Sequence, residues 1–391
     1  MKKIVFPILI TITTALFVGC SSDDDSGTTD PNLVTKQEVV ENYAAIVYQN
    51  YVDAYSDAVA LQTSLATFTA TPTEANHNAA KQAWKTARES YGTTEAFRFA
   101  AGPIDDSDGP EGLLNAWPLD ENYIDYVEGA SDTGIINNVG AYPAITKELL
   151  VSLNEEGGET NISVGYHAIE FLLWGQDNTD PEDNQAGLRP YTDFVDGGTA
   201  QNQDRRRDYV TACASLLLDH LQLMIDEWAV GGPYRTTFLA LNEDVAIKNI
   251  LTGIATLSKS ELAGERMFVA LSNQDQEDEH SCFSDNTHRD IRLNLEGIKN
   301  VYIGTYGSIS GASLSDLVTQ ANATTALEVT AQLNEAVTTV EATGIPFDIA
   351  ISGGSTTTEG AKVLQAVNAL QDLGDQFVLA GSALGVTVVA D

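Results

Sequence analysis

A chain of 391 residues with 56 acidic and only 20 basic side chains carries a formal net charge of −36 at pH 7. Phosphate repels such a surface, and the sequence contains no basic patch with interleaved aromatic residues, so nucleic acid is excluded as a partner. With 43% hydrophobic residues the chain can bury ordinary cores, and its length is sufficient for two domains.

The chain begins with the features of an export signal. Lys2 and Lys3 form a short positive region, and residues 4–18 form an apolar stretch without a charge. This stretch is a few residues shorter than the roughly 20 that span a hydrocarbon core. The segment Phe17-Val18-Gly19-Cys20 resembles a lipobox, although Phe17 stands where leucine is usual. We predict a signal peptide over residues 1–19 and lipid attachment at Cys20, and an ordinary cleaved signal is the alternative.

The segment that follows predicts a tether. Residues 20–31 have no apolar side chain to bury beyond Cys20, so we expect a solvated connection. Its Ser-Ser-Asp-Asp-Asp run resembles the export signal of lipoproteins on the outer face of the outer membrane. We therefore predict an outer-membrane lipoprotein of the cell envelope, periplasmic or surface-exposed, that contacts the membrane through its lipid. Two other cysteines, Cys213 and Cys282, remain, and a disulfide between them is left open.

Apolar residues recur at helical spacing through most of the chain beyond residue 32, and the strict alternation of strands is nearly absent. The sequence therefore predicts an all-α protein. Gly and Pro residues interrupt the pattern between residues 102 and 110. The predicted helical segments are residues 39–61, 73–91, 204–228, 244–271, 287–301, 313–342 and 357–384.

A polar stretch with Gly and Pro, residues 176–203, separates two halves that each contain several long helices. Each half can form a bundle. We predict two helical-bundle domains, an N-terminal one over residues 32–190 and a C-terminal one over residues 201–391.

The first candidate functional segment runs from Gly165 to Gly175. On a helix, His167 and Glu170 are three residues apart and project from one face, where a nitrogen and a carboxylate oxygen can share a cation. The flanking apolar residues indicate burial, and a buried His and Glu need partners. A simple His–Glu hydrogen bond within a core is the alternative.

The second is the acidic segment 275–287. It contains Glu279, His280 and Asp285 together with Cys282 and Phe283. A solvated acidic loop is the alternative interpretation, but such a loop does not require a histidine, a cysteine and a phenylalanine. We treat its acidic and histidine side chains as candidate site residues.

Several patterns together resemble one known family. Gly165-x-His167-x-x-Glu170, continued to Trp174, matches the GxHxxE signature of the imelysin-like proteins, which include a peptidase and iron-regulated lipoproteins. Residues 84–103 resemble the first-half pattern of that family, residues 188–191 its central pattern, and residues 278–287 its second-half pattern. The resemblance covers nearly all of the chain beyond the tether.

The resemblance implies two helical bundles with the site between them, and His167 and Glu170 as metal ligands. Glu95, Glu279 and His280 are candidates for a third ligand, and Arg98 and Asp285 are further site candidates within the matched patterns. Arg98, like Arg88, is also expected to pair with carboxylates. The metal, iron or zinc, stays unassigned.

Two functions follow from the resemblance. The first is a non-enzymatic envelope protein that binds iron, or a haem-type iron source, and passes it to an uptake system. The alternative is a metal-dependent peptidase. The sequence has neither His-Glu-x-x-His nor its reversed form, since Phe171 follows Glu170. A site that only ties the bundles together is a third interpretation.

Overall fold

The computed structural model describes residues 33–390. The predicted signal peptide, the lipid attachment at Cys20 and the predicted tether lie outside the described residues and stay predictions. Among the helices of residues 33–390, none has both the length and the apolar character needed to cross a membrane.

The described residues form an all-α fold, as predicted. The helices up to residue 239 are α1 (Lys36–Ala70), α2 (Glu74–Gly92), α3 (Glu111–Leu114), α4 (Glu121–Ile124), α5 (Gly134–Asn137), α6 (Lys147–Leu153), α7 (Gly165–Trp174), α8 (Gln203–Trp228) and α9 (Pro233–Leu239). Short 3-10 turns cover Thr93–Phe97, Pro181–Asp183 and Tyr191–Phe194. The predicted connection between residues 176 and 203 is therefore irregular apart from two such turns.

The remaining helices are α10 (Glu243–Thr256), α11 (Val269–Asn273), α12 (Thr287–Ile303), α13 (Leu314–Ala321), α14 (Ala323–Glu341), α15 (Phe347–Ile351) and α16 (Thr358–Ala383). A π-helical segment, Leu257–Phe268, joins α10 to α11, and 3-10 turns cover Gln276–Asp278 and Cys282–Ser284. Two short strands, β1 (Thr305–Tyr306) and β2 (Ile309–Ser310), pair antiparallel with Tyr306 opposite Ile309.

Side-chain caps determine where several helices begin. The Thr35 hydroxyl accepts a hydrogen bond from the backbone N–H of Glu38, and the Glu38 carboxylate accepts one from the backbone N–H of Thr35. This capping box starts α1. Asn322 ends α13 and accepts from the backbone N–H groups of Thr324 and Thr325 at the start of α14. The prediction of one continuous helix over residues 313–342 was therefore wrong in this detail.

Long helices from both parts of the chain pack together. α1 contacts α2, α8 and α10, and α2 contacts α12. At the contact of α12 with the 3-10 turn Thr93–Phe97, a Cβ on Gly297 would lie 2.4 Å from the carbonyl oxygen of Thr93. Residues from Val34 onward form one compact unit. The division at residues 190 and 201 stays a prediction.

Candidate functional site

Helix α7 carries His167 and Glu170 in the protein core, and all ten of its residues are buried. The helix begins at Gly165, whose φ is +91° and where a Cβ would lie 2.7 Å from the carbonyl oxygen of Leu114. Only glycine fits this position without strain, which explains the first residue of the motif. At the other end, Trp174 packs edge-on against Trp84, with ring centres 5.4 Å apart.

The two motif side chains bind each other. Nδ1 of His167 is hydrogen-bonded to Oε2 of Glu170 at 2.9 Å. The other oxygen, Oε1, accepts from the backbone N–H of Ser284 at 3.1 Å and from its hydroxyl at 2.6 Å. Glu170 therefore orients His167 and holds the second motif segment against the first. The hydrogen bond that the sequence left as an alternative is present.

The structure brings His280 to His167. Their ring centres are 4.6 Å apart, with ring planes at 77°. Nδ1 of His280 is hydrogen-bonded to Oδ2 of Asp290 at 3.0 Å. Asp290 lies on α12 and also accepts from the Ser281 hydroxyl and, through Oδ1, from Arg88 at 3.0 Å.

Both imidazoles thus have Nδ1 bound to a carboxyl group. When the shared proton is on Nδ1, the Nε2 atom presents a lone pair. Nε2 of His167 is buried and has no hydrogen-bond partner in the described residues. Histidines that ligate metals through one ring nitrogen usually have a carboxylate or another acceptor at the other, a role that Asp290 and the ionised form of Glu170 would fill here.

Burial controls the charges of this site. It lowers the pKa of His280 to about 4, with Arg266 adding to the effect, and it lowers the pKa of His167 well below its usual value. Burial also raises the pKa of Glu170 to about 8. Burial alone would raise the pKa of Asp290, but Arg88 and His280 outweigh it and hold the pKa well below its usual range. Both imidazoles are therefore neutral at pH 7, and a cation at Nε2 of His167 would require the proton shared with Glu170 to lie on Nδ1, with Glu170 ionised.

Trp117 covers the histidine pair. Its ring centre lies 5.1 Å from that of His167, 6.5 Å from that of His280 and 5.6 Å from that of Phe283, all in edge-on contacts. The sequence reasoning missed Trp117 and Asp290. Arg88, which we expected to pair with a carboxylate, does so with Asp290. No local pattern marks Trp117, whereas Asp290 lies within one turn of the recognised segment.

Glu95 and Arg98 belong to an ion-pair network beside the histidines. The carboxylate of Glu95 accepts from Arg266 and, at 3.3 Å, from Asn115. Burial alone would raise the pKa of Glu95, but Arg266 and Arg98 outweigh it and lower the pKa to about 2. Arg98 also lies 3.3 Å from Glu111. Both oxygens of Glu95 therefore already have partners, the Asn115 amide at one and the Arg266 guanidinium at the other.

Glu279 and Asp285 are influenced mainly by burial and by other carboxyl groups. Burial, then Asp348, raises the pKa of Glu279, and its Oε1 is buried without a partner in the described residues. Burial, then Asp348 and Asp177, raises the pKa of Asp285 to about 7. Within residues 33–390, no group of three or more His, Cys, Asp or Glu side chains is arranged to hold a metal ion.

A cavity of about 470 Å³ reaches His280 of the histidine pair, and Trp117, Arg98 and Arg266 are also among its lining residues. Cys213 and Cys282 are both buried free thiols, so they form no disulfide with each other. Buried thiols of this kind are inert, and burial raises the pKa of each of them.

The fold and site together define an all-α protein with a carboxylate-supported pair of buried histidines. The family model of the imelysins, peptidase M75, matches residues 47–377. The chain belongs to the imelysin family, as its motifs predicted.

One known protein is similar to this chain in sequence, and one solved structure is similar to it in fold. The chain is 29% identical over 274 residues to Iron-regulated protein A of Synechococcus elongatus, a match that covers 70% of this chain and 65% of that protein. It therefore spans slightly less than two thirds of that relative's length. The fold is similar to the crystal structure of a protein assigned as an iron-regulated protein A precursor from Parabacteroides distasonis ATCC 8503. The TM-score is 0.68 at 20% identity, over 91% of this chain and 97% of that one.

Proposed function

We propose that this protein is an envelope-anchored member of the imelysin family that binds iron through His167 and His280 in iron acquisition. The observation that carries the proposal is the Nε2 atom of His167, which is buried and without a partner in the described residues. Leaving such a group unsatisfied costs about 1–3 kcal/mol, and binding a cation would remove that cost.

The rest of the site supports this proposal. Both imidazoles are neutral at pH 7, and each is oriented by a carboxyl group at Nδ1. Imidazole nitrogens suit iron as well as zinc. Water or a second molecule would complete the coordination, because the described residues supply no third ligand to the pair. The name of the cyanobacterial relative favours iron over zinc.

In this proposal the role of Glu170 changes. The resemblance implied that Glu170 is a metal ligand. Its two oxygens are occupied by His167 and Ser284, so we propose that Glu170 orients the ligand instead. His280 replaces it as the second ligand.

The test is a titration of the mature full chain with ferrous ion under anaerobic conditions, followed by calorimetry and metal analysis. We expect the wild type to bind one ion and His167→Gln to lose at least tenfold in affinity while keeping its circular-dichroism melting curve. His220→Ala is the matched control, because His220 on α8 also has a buried ring nitrogen without a partner in the described residues. Equal binding by wild type and His167→Gln would contradict the site.

The anchor has a separate test. Cys20→Ser should release the protein from the membrane fraction without changing its affinity for ferrous ion. The peptidase alternative predicts chelator-sensitive cleavage of an unfolded protein that depends on His167. Finding such cleavage would replace the binding role with a catalytic one.

A further inference from the structure

We infer that the site accepts a small hydrated metal cation through an acidic cavity and rejects haem and anionic iron chelates. This inference rests on the proposed function and names the class of ligand for the same histidine pair. It depends on the charge of the cavity, on the ion pairs that its two guanidinium groups already form, and on the distance between the two imidazole rings.

The cavity that reaches His280 has a strong excess of negative charge. Two arginines line it, against six acidic residues: Glu111, Glu155, Glu159, Glu261, Glu265 and Asp278. Burial raises the pKa of Glu111 to about 7, so that group is only partly ionised at neutral pH. The others leave the cavity negative. A cleft lined by one sign of charge concentrates counter-ions of the opposite sign and speeds their entry.

The two arginines are not available to an anion. Arg98 lies within 3.5 Å of carboxylate oxygens of Glu95, Glu111 and Glu261. Arg266 is paired with Glu95 and, at 2.8 Å, with Glu261, and a further nitrogen donates to Asn294 at 2.8 Å. A carboxylate of haem or citrate would have to displace these partners. Like-charge contacts with the remaining acidic residues would oppose it.

The spacing of the imidazoles indicates how they can share a cation. With metal–nitrogen distances of about 2.1 Å and about 1.1 Å from nitrogen to ring centre, imidazoles on adjacent coordination positions have ring centres about 4.5 Å apart. On opposite positions, as in a haem held between two histidines, the ring centres are about 6.4 Å apart. The observed 4.6 Å is close to the spacing for adjacent positions and far from the spacing for opposite ones.

The experiment compares three probes on the full chain at low and high salt: ferrous ion, haem and ferric citrate. Glu159 and Glu265, both exposed at the cavity, are neutralised together in Glu159→Gln/Glu265→Gln. The control is Glu328→Gln/Glu335→Gln, which makes the same change in net charge at exposed positions on α14.

We expect ferrous ion to bind, and haem and ferric citrate not to bind in a manner that depends on His167. The cavity variant should weaken ferrous binding by roughly three- to tenfold at low salt and by much less at 0.5 M salt, since screening shortens the reach of exposed charges. The control should differ little from wild type. Haem or citrate binding that His167→Gln abolishes would overturn the inference and leave the proposed function standing.

A cavity variant that behaves as the control does at low salt would also overturn the inference. If no probe binds in a His167-dependent manner, the proposed function fails as well. The two failures are therefore distinguishable.

Discussion

The buried ion pair between Arg88 and Asp290 allows a sharp test of the packing beneath the site. Both side chains are 1% exposed, and Arg88 reaches Asp290 at 3.0 Å. Replacing Asp290 by Asn leaves the guanidinium buried beside a neutral amide. Breaking a buried pair in this way costs about 3–5 kcal/mol, because the remaining charge is uncompensated.

The same two helices provide a matched control. Glu89 and Arg289 are the sequence neighbours of the buried pair, and they form a bidentate ion pair with bonds of 2.9 and 2.6 Å. Their side chains are 44% and 36% exposed. Glu89→Gln should therefore cost no more than about 1 kcal/mol, since water screens exposed pairs.

Urea unfolding followed by tryptophan fluorescence measures the free energy that each variant loses, and thermal unfolding measures its Tm. For a folded unit of this length the unfolding entropy is roughly 0.75 kcal/mol/K, so Asp290→Asn should lower Tm by about 4–7 °C and Glu89→Gln by about 1 °C or less. Equal losses of stability in the two variants would refute the reasoning, because burial is the main difference between the two pairs.

Two further predictions concern the fold. Gly297→Ala should cost about 1–3 kcal/mol in urea unfolding, because its Cβ would meet the main chain at Thr93, whereas Gly264→Ala, with 3.8 Å to its nearest neighbouring atom, should be nearly neutral. Stability should fall between about pH 6.5 and 8. Asp285 has a folded pKa raised to about 7 by burial, then by nearby carboxylates, so its contribution is present below its unfolded pKa and lost as pH rises through 7. His77, His280 and His288, whose pKa values are lowered to about 4 mainly by burial, act in the opposite direction only below about pH 6.5. Thermal melts should therefore show that Tm falls more steeply with pH over this window in wild type than in Asp285→Asn. Identical dependences of Tm on pH would contradict the role given to Asp285.

Much of the fold could be predicted from local patterns. Helical periodicity predicted α8, α12 and α16 to within a few residues, because each of these helices buries one continuous apolar face. The break at Asn322 was missed, since apolar residues continue at helical spacing on both sides of it. Only the capping geometry of Asn322 separates the two helices.

The candidate site divides in the same way. Local sequence patterns predicted that His167 and Glu170 share a buried helical face, and they marked His280 as a candidate site residue. The packing of distant segments, which local patterns do not show, places the ring of His280 against that of His167 and occupies both oxygens of Glu170 with His167 and Ser284. It also decided that Trp117 and Asp290 surround the pair. The cause is distance along the chain, because these contacts join residues from ten to more than a hundred positions apart, and the packing of α7, α12 and their loops brings them together.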